Sequence, residues 1–423
     1  MLVQFTFNNF RCFRSETTLS LVASDRIEHS DNTIVKFDDY SVLKSSVIYG
    51  ANASGKTKLF QAFLFMDRMI CELAKDNKYD WQSRYTPFEL AEAAEASSSF
   101  EVIFIQNGIQ YRYGFEINRT EVLAEWLYRQ GKAKEIEIFY RDDEGVSNYH
   151  GTYIKSQIVD TIRAAKMLRK DALFLTILPV WNNPLSIDLI DWFFSANVLS
   201  ATRGDGMSHY SMTRLATPMK VKILTMMRSA DISIDDLNIR EMNPNDLPDE
   251  IKKMIKEKGE GKVMDGVNAK HRTFDENGFS HSFKSFSLET DESYGTYRLF
   301  ALSAPIIDTL ENGKVLFVDE IDNGLHSDLL RAIVSLFQDP EINKRNAQLI
   351  INTHDIGLLD DASLFKYDQI YIAQKDRFGE ATLTSLLAFD VNSDKKIGEL
   401  YREGRFGGVP YLVQFMRNVL SSK

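Results

Sequence analysis

Cysteine is scarce in this chain of 423 residues, since only Cys12 and Cys71 occur. Neither their number nor their spacing fits a zinc site or a disulfide framework, which indicates a reducing compartment such as the cytoplasm. The first residues lack the charged and then apolar layout of a secretory signal peptide. No run approaches the roughly 20 apolar residues that are needed to span a bilayer. The composition therefore predicts a cytoplasmic protein with no membrane partner.

An excess of positive charge is also lacking. The chain has 50 lysines and arginines against 60 aspartates and glutamates, a formal net charge of −10, and a pI near 5.4. This balance argues against a surface that coats nucleic acid, although a local basic groove stays open. Hydrophobic residues make up 44% and charged residues 26%, which is typical of a globular protein. The length suggests two or three structural units.

The strongest motif lies at residues 50–57, where GANASGKT fits G-x-x-x-x-G-K-[ST]. Residues 45–49 predict a short buried strand before this loop, and apolar residues at helical spacing predict a helix over 58–74. A strand, a glycine loop and a helix turn backbone N–H groups and a helix N-terminus toward phosphates. The pattern therefore predicts a P-loop that binds ATP with Mg²⁺.

Each residue of this loop has an expected role. Lys56 is expected to bring its charge to the β- and γ-phosphates, and Thr57 to offer its hydroxyl to Mg²⁺. The other residues expected to contact the nucleotide are Gly50, Asn52, Ala53, Ser54 and Gly55.

A second strong feature lies far downstream, where four apolar residues at 315–318 precede Asp319 and Glu320. An acid at the carboxyl end of a buried parallel strand can reach a metal beside the P-loop, so Asp319 is the expected Mg²⁺ ligand. Glu320 is placed to polarise the attacking water as a general base. This segment is similar to a Walker B strand.

Three further segments narrow the class. Residues 322–326 resemble a D-loop, and residues 348–355 predict a buried strand that leads to His354, which resembles the switch histidine of ATPases. Upstream, Ser293 and Gly295 resemble the S-x-G core of the ABC signature, where a hydroxyl and free N–H groups at a helix start can meet an anion. Each segment alone is weak, but their order along the chain is typical of one class of ATPase.

The whole set resembles the ABC-type ATPases of the RecF, SMC and OLD group. The opening residues 5–13, FTFNNFRCF, are similar to the start of that group, and the resemblance implies that Arg11 lies near the nucleotide. Residues 404–410 resemble a C-terminal motif of the small RloA/AbiLi-like phage-defence ATPases. The resemblance implies an α/β P-loop NTPase fold of the ABC-head type, with an antiparallel β lobe and a helical insert.

The chain also departs from that pattern. Glu292 stands before Ser293 where the signature has leucine, and no glutamine marks the Q-loop. Glu125 occupies the expected region, either as a nucleotide-site ligand or as a strand acid that faces solvent. No long heptad run is present, so the extended coiled coil of SMC proteins is not expected.

The organisation predicts three segments. Residues 1–150 should hold the P-loop and an antiparallel sheet, with Asn107 and Gly108 as a hairpin turn. Residues 151–265 should form a mainly helical insert, and residues 266–423 the second ATPase lobe. Within the insert, the charged stretch 248–259 fits a solvated helix, and contact with nucleic acid is the alternative.

No effector domain is expected after the switch histidine. Only 423 − 354 = 69 residues follow His354, fewer than the roughly 100 of a compact catalytic domain. The close acid pair Asp360 and Asp361 lies near a predicted helix cap and outside any acidic strand motif. The family resemblance therefore implies a separately encoded effector, with a nuclease as the expected kind.

The combined expectation is an ATP-hydrolysing homodimer, with a higher assembly left open, in which each P-loop meets the signature of the other copy, as the resemblance implies. It would control the effector in antiphage defence. A RecF-like ATPase that acts directly on DNA is the first alternative, and nucleic acid stays open as a partner. A scaffold that binds ATP without hydrolysis is the second, and Glu320 argues against it. A transporter subunit fits poorly.

Overall fold

The computed structural model describes residues 1–76, 78–91, 97–199, 204–230, 233–242, 263–278, 280–361, 363–389 and 395–409. The strands are β1 (Leu2–Phe7), β2 (Thr17–Ser20), β3 (Ile34–Lys36), β4 (Ser41–Leu43), β5 (Ser45–Tyr49), β6 (Ser98–Gln106), β7 (Ile109–Ile117), β8 (Val122–Gln130), β9 (Glu135–Asp142), β10 (Gly145–Tyr149), β11 (Asn197–Leu199), β12 (Asp236–Met242), β13 (Val263–Phe274), β14 (Ser280–Ser287), β15 (Val315–Val318), β16 (Gln348–Asn352), β17 (Ile370–Lys375) and β18 (Ala381–Ser385). The helices are α1 (Lys56–Lys75), α2 (Ser156–Ala164), α3 (Phe174–Ile177), α4 (Pro184–Ser195), α5 (Gly204–Arg214), α6 (Met219–Ser229), α7 (Tyr294–Asn312), α8 (Ser327–Gln338) and α9 (Ile397–Arg402).

A seven-stranded antiparallel sheet forms the first layer, in the order β10-β9-β8-β7-β6-β1-β2. Its strands alternate buried and partly exposed residues, because successive side chains point to opposite faces of a sheet. Asn107 and Gly108 connect β6 to β7 with φ of 50° and 76°, the positive values that a tight hairpin turn requires. The predicted hairpin and antiparallel lobe are confirmed.

A six-stranded sheet forms the nucleotide-binding layer, in the order β11-β15-β16-β5-β17-β18. Five neighbouring strands of this sheet run parallel to one another, namely β11, β15, β16, β5 and β17, and the edge strand β18 is antiparallel to β17. The predicted strand before the P-loop is β5, and every residue of it is buried. Because the carboxyl ends of parallel strands meet at one edge, the loops after β5, β15 and β16 lie together.

Helix α1 joins the two layers. The Phe63 ring stacks on Phe317 of the parallel sheet at 4.4 Å and meets Phe5 of the antiparallel sheet edge-on at 5.3 Å. Phe63 is fully buried, and replacing such a side chain with alanine costs about 3–5 kcal/mol of stability. The P-loop helix is therefore anchored on both faces, which fixes the position of the loop that precedes it.

The predicted helical insert contains strands as well as helices. Helices α2 to α6 fall within it, but β11 adds an edge strand to the parallel sheet and β12 pairs with β13 and β14 in a three-stranded sheet. This small sheet shares a hydrophobic core with α5, α6 and α7. Strands β13 and β14 pair antiparallel and precede the predicted signature. The charged stretch 248–259 lies outside the described residues.

Both expectations for Glu125 are wrong. Its side chain is fully buried, accepts hydrogen bonds from the Tyr113 hydroxyl at 2.9 Å and from the Phe174 and Leu175 amides, and lies 3.6 Å from Arg141. Burial raises the pKa of this carboxyl, and Arg141 opposes the shift. Glu125 therefore fastens the start of α3 to the antiparallel sheet, away from solvent and from the P-loop.

Candidate nucleotide-binding site

The P-loop turns sharply where glycine is required. A Cβ at Gly50 would lie 2.2 Å from the Ala373 carbonyl oxygen and 2.5 Å from Ser54 Oγ. Gly55 has φ of 112°, and a Cβ there would lie 3.3 Å from Cys12 Sγ. Neither position has room for a side chain, so the backbone can turn its N–H groups toward an anion.

Lys56 lies inside this loop and is only 6% exposed. Its Nζ donates to the carbonyl oxygens of Gly50 at 2.7 Å and Ala51 at 3.1 Å. Burial lowers the pKa of Lys56, while the charges of Glu320 and Asp319 act in the opposite direction. The ammonium group is thus held in the curve of the loop, where it can meet the phosphates of a nucleotide.

Thr57 and Asp319 form the second part of the site. Thr57 Oγ1 donates to Asp319 Oδ1 at 3.0 Å, and Asn352 Nδ2 donates to the same oxygen at 2.5 Å. Asp319 Oδ2 is buried and has no hydrogen-bond partner in the described part of the chain. An orphaned carboxylate oxygen beside a threonine hydroxyl fits Mg²⁺, which prefers oxygen ligands. Thr57 and Asp319 would hold the ion, which would neutralise charge on the phosphates.

Glu320 follows Asp319 in a strained backbone conformation, with φ of 49°. Its N–H donates to Asn352 Oδ1 at 2.7 Å, and its carbonyl oxygen accepts from Arg298 at 3.2 Å. Strain of this kind costs of order 1–3 kcal/mol and persists only where surrounding contacts impose it. The bonds turn the Glu320 side chain into the same cavity as the P-loop, which suits a general base.

That cavity has a volume of about 310 Å³ and also receives His354. The His354 backbone N–H donates to Asp322 Oδ2 at 3.1 Å, which ties the loop after β16 to the D-loop. Partial burial and the charge of Lys56 lower the pKa of His354, so its imidazole is neutral at pH 7. The other lining residues are Asn52, Ala53, Ser54, Gly55, Lys56, Thr57, Lys58 and Lys375.

The signature residues lie elsewhere. Ser293 is the N-cap of α7, and its Oγ accepts from the Thr296 N–H at 3.1 Å. A Cβ at Gly295 would lie 2.6 Å from the carbonyl oxygen of Gly324 in the D-loop. Ser293 and Gly295 are not among the residues that line the P-loop cavity of the same chain. The structure therefore joins the P-loop, Walker B and His354, and leaves the signature outside that group.

Two buried residues of the site escaped the sequence reasoning. Asn352 supports both Asp319 and Glu320, and Arg298 donates to the carbonyl oxygens of Asp319 and Glu320, each at 3.2 Å. Arg298 lies one turn into α7 and is only 3% exposed. In the sequence, the signal for Arg298 is a charged residue within an apolar stretch of a helix. The signal for Asn352 is a polar residue at the end of an apolar strand.

Arg11 faces a neighbouring cavity. Its φ is 55°, its N–H donates to the Thr86 carbonyl at 2.8 Å, and its guanidinium lies 5.3 Å from the Phe10 ring centroid. Arg11 lines a cavity beside α1 and is not among the residues that line the P-loop cavity. Its contact with a nucleotide remains a prediction.

The C-terminal glycine segment packs on the P-loop. The Tyr401 hydroxyl donates to the Gly408 carbonyl at 2.8 Å, and the Tyr401 ring lies 5.7 Å from Tyr49. A Cβ at Gly408 would lie 2.7 Å from Ile372 Cγ2 and 3.4 Å from Gly50 Cα. The segment after α9 therefore supports the start of the P-loop.

Among the described residues, no group of three or more histidine, cysteine or acidic side chains could hold a metal ion. In the same part of the chain, no helix has the length and apolar character needed to cross a bilayer.

Comparison with known structures returns heads of SMC proteins. The chain is similar to an SMC head bound to the C-terminal winged-helix domain of ScpA, at 14% identity and a TM-score of 0.44, over 91% of this chain and 97% of that one. It is also similar to the SMC head of Thermotoga maritima, at 12% identity and a TM-score of 0.38, over 92% and 99%. A third match is an SMC head bound to the C-terminal domain of ScpA, derived from Pyrococcus furiosus, at 10% identity and a TM-score of 0.41, over 96% and 99%.

Comparison with curated proteins returns no match. The sequence profile of one family matches residues 45–360, which include the P-loop, the signature, Walker B and His354. The predicted α/β P-loop fold with its antiparallel lobe is confirmed, and so is the assignment of the chain to the P-loop ATPases. The chain belongs to the family described as "AAA domain, putative AbiEii toxin, Type IV TA system".

Proposed function

We propose that this ATPase closes into a homodimer around two ATP molecules, each held between the P-loop of one copy and the signature of the other. Hydrolysis would open the dimer. The ATP-bound form would control a separately encoded effector, with a nuclease as the expected kind, in antiphage defence in the cytoplasm. The RloA/AbiLi-like resemblance and the toxin–antitoxin description of the family support the defence role.

The position of the signature carries the dimer proposal. Ser293 and Tyr294 are exposed, and Tyr294 keeps 52% of its surface in contact with solvent. The N-terminus of α7 offers N–H groups and the positive end of the helix dipole, yet it does not line the P-loop cavity of the same chain. A second copy can supply the missing half of the site, because a twofold axis pairs each signature with the opposite P-loop.

The arrangement of Glu320 supports hydrolysis over a scaffold that only binds ATP. Its backbone is held in a strained conformation by Asn352 and Arg298, and its side chain lines the P-loop cavity. A protein that used ATP only to hold two copies together would not need a carboxylate at this point. The geometry thus favours an ATP cycle with a chemical step.

The acid pair after the switch histidine supports a separate effector. Asp360 accepts a hydrogen bond from Arg402 at 3.1 Å, and Asp361 caps the turn at Ser363 through Oδ1. Both carboxylates therefore have local structural partners. A two-metal nuclease centre needs several acids that converge on one point, and the described residues contain no such group.

The dimer is tested with two substitutions at one residue. Ser293→Asp and Ser293→Asn both keep an N-cap of α7, because Asp and Asn are both good caps. Only aspartate adds a negative charge where the phosphate of the other copy would lie. With ATP and Glu320→Gln in the background, light scattering should show dimers for Ser293→Asn and monomers for Ser293→Asp. Dimers of equal stability in both variants would contradict sharing of the site.

The separate effector is tested by assaying the purified chain with ATP, Mg²⁺ and DNA or RNA. Cleavage should be absent until the partner protein is added. A nuclease activity that copurifies with the chain, and disappears in Asp360→Asn or Asp361→Asn, would place the effector in this chain and overturn that part of the proposal.

A further inference from the structure

A second cavity, here called the arginine cavity, opens beside α1 and separately from the P-loop. Its volume is about 280 Å³, and its lining includes Gln61, Arg68, Tyr79, Ser83, Arg84 and Arg11. The proposed ATP cycle uses none of these residues, and a nucleotide contact of Arg11 is a prediction from the family resemblance. No residue is shared between the lining of the arginine cavity and that of the P-loop cavity.

Three elements build the arginine cavity. Helix α1 contributes Gln61 and Arg68, which lie about two turns apart and so on one face of the helix. The turn after β1 contributes Arg11, whose backbone is fixed to Thr86 by a hydrogen bond of 2.8 Å. The segment that contains the single 3₁₀ turn Gln82–Arg84 contributes Ser83 and Arg84, with Tyr79 before the turn and Thr86 after it. The arginines thus converge from separate segments of the fold.

The charge of this cavity is one-sided. Arginine is present three times among the lining residues and no carboxylate is among them. In the part of the chain that the structure describes, neither Arg68 nor Arg84 forms an ion pair. By contrast, Arg112 lies between Glu101 at 3.0 Å and Glu135 at 2.7 Å. Arg68 and Arg84, two arginines without a carboxylate partner among the described residues, lie together in a chain of net charge −10, which indicates a place for an anion.

The neighbouring acid does not cancel this charge. Asp67 precedes Arg68 but is buried, and its one hydrogen bond, from Cys71 Sγ, spans 3.8 Å. Burial raises the pKa of Asp67 to about 8, so its carboxyl is mostly protonated at neutral pH. Arg68 therefore keeps its full charge available toward the cavity.

The polar and aromatic residues that line the arginine cavity limit which anions it can bind. Guanidinium groups match the geometry of phosphate oxygens, and Gln61 and Ser83 add polar side chains beside them. The half-buried ring of Tyr79 offers a surface on which a planar base can stack. We propose that the arginine cavity binds a mononucleotide unit through its terminal phosphate, either as a free nucleotide or as the 5′ end of a strand.

The test uses Lys56→Ala protein, so that the P-loop does not bind the probe. The probes are AMP and a single-stranded tetranucleotide with or without its 5′-phosphate, followed by calorimetry. At least one phosphorylated probe should bind, and Arg68→Ala and Arg84→Ala should each weaken it by about tenfold, as expected for charge-assisted bonds. Binding of AMP identifies a free nucleotide as the source, and binding of the phosphorylated strand alone identifies a nucleic-acid end.

Lys75→Ala is the matched control, because Lys75 lies on the same helix, outside the cavity, and pairs with Glu72. It should leave the binding of both probes unchanged. Thermal unfolding of each variant checks that the fold is intact. The proposal is overturned if neither phosphorylated probe binds or if the arginine variants bind the probes as tightly as the control does. It is also overturned if the tetranucleotide binds equally well with and without its 5′-phosphate.

Discussion

The two halves of the proposed ATP site are built in opposite ways. On the P-loop side, Thr57, Asp319, Glu320 and Asn352 are tied to one another by hydrogen bonds across two parallel strands and α1. On the signature side, the Ser293 side chain bonds to Thr296 in its own first helical turn, and Tyr294 is exposed. The P-loop half rests on the buried Asp319 and Asn352 and is held by hydrogen bonds, whereas the signature half is exposed at the surface.

This difference indicates which groups act within one chain. A fixed set of donors and carboxylates can bind and orient a nucleotide without help, since little rearrangement is needed at the moment of reaction. A surface that carries a helix N-terminus can bind an anion only when the anion is brought to it. We infer that binding resides in the P-loop side and that turnover requires the signature of a second copy.

The largest effect is expected at Lys56. Replacing Lys56 with alanine should abolish ATP binding, because its ammonium group is the charge that the loop holds through the carbonyl oxygens of Gly50 and Ala51. Equilibrium binding of labelled ATP measures this directly, with thermal unfolding as the check on folding. Wild-type affinity in this variant would remove the basis for assigning binding to the P-loop side.

The next effect is expected at Glu320. Glu320→Gln keeps the shape of the side chain but removes the base, so turnover should fall by on the order of 10²–10⁴-fold while ATP binding persists. Steady-state phosphate release and ATP binding are measured on the same sample. Turnover close to wild type would show that Glu320 is not the general base. His354 is then the next candidate, and His354→Gln should lower turnover.

Asn352 should show a smaller effect with a distinctive readout. Asn352→Ala removes the bonds to Asp319 Oδ1 and to the Glu320 N–H, so the metal ligand loses its orientation. Loss of such a support typically costs 10–100-fold in metal affinity or activity. The Mg²⁺ concentration for half-maximal ATPase activity should rise, and high Mg²⁺ should restore part of the rate. An unchanged Mg²⁺ requirement would show that Asn352 is only structural.

The smallest effect is expected in the C-terminal glycine segment. Gly408→Ala introduces a Cβ that would lie 2.7 Å from Ile372 Cγ2 and 3.4 Å from Gly50 Cα. Gly404→Ala is the matched control, because its φ of 75° is close to the 71° of Gly408 but its nearest neighbour is Val409 Cγ2. Both should lose about 1–3 kcal/mol of stability from backbone strain. Only Gly408→Ala should also weaken ATP binding, by several-fold; equal affinities would separate the segment from the P-loop.

Much of the P-loop side could be predicted because it rests on local patterns. The strand β5, the helix α1 and the strands β15 and β16 follow from short apolar runs and helical periodicity next to recognisable turns. The edge strand β11 did not follow, because three residues within a helical stretch carry too weak a pattern, and its pairing with β15 is set by the tertiary fold.

The supporting residues could not be predicted for a related reason. Glu125, Asn352 and Arg298 act through partners that are distant in sequence, and alternation along a strand gives no sign that an acid is paired inside the core. Gly295 illustrates the same limit. The sequence predicts that the N–H groups near Gly295 can meet an anion, but it does not show that a Cβ at Gly295 would lie 2.6 Å from the Gly324 carbonyl oxygen of the D-loop.

The most direct test of the shared site mixes two inactive variants. Ser293→Asp protein has an intact P-loop and Lys56→Ala protein has an intact signature, so a mixed dimer contains one complete site. Because neither variant is expected to dimerise by itself, the dimers in an equal mixture should be mixed, each with one of its two sites complete, so the mixture should regain up to half of the wild-type ATPase activity per chain. Each variant alone should be inactive. Activity in Ser293→Asp alone, or no recovery in the mixture, would contradict the account.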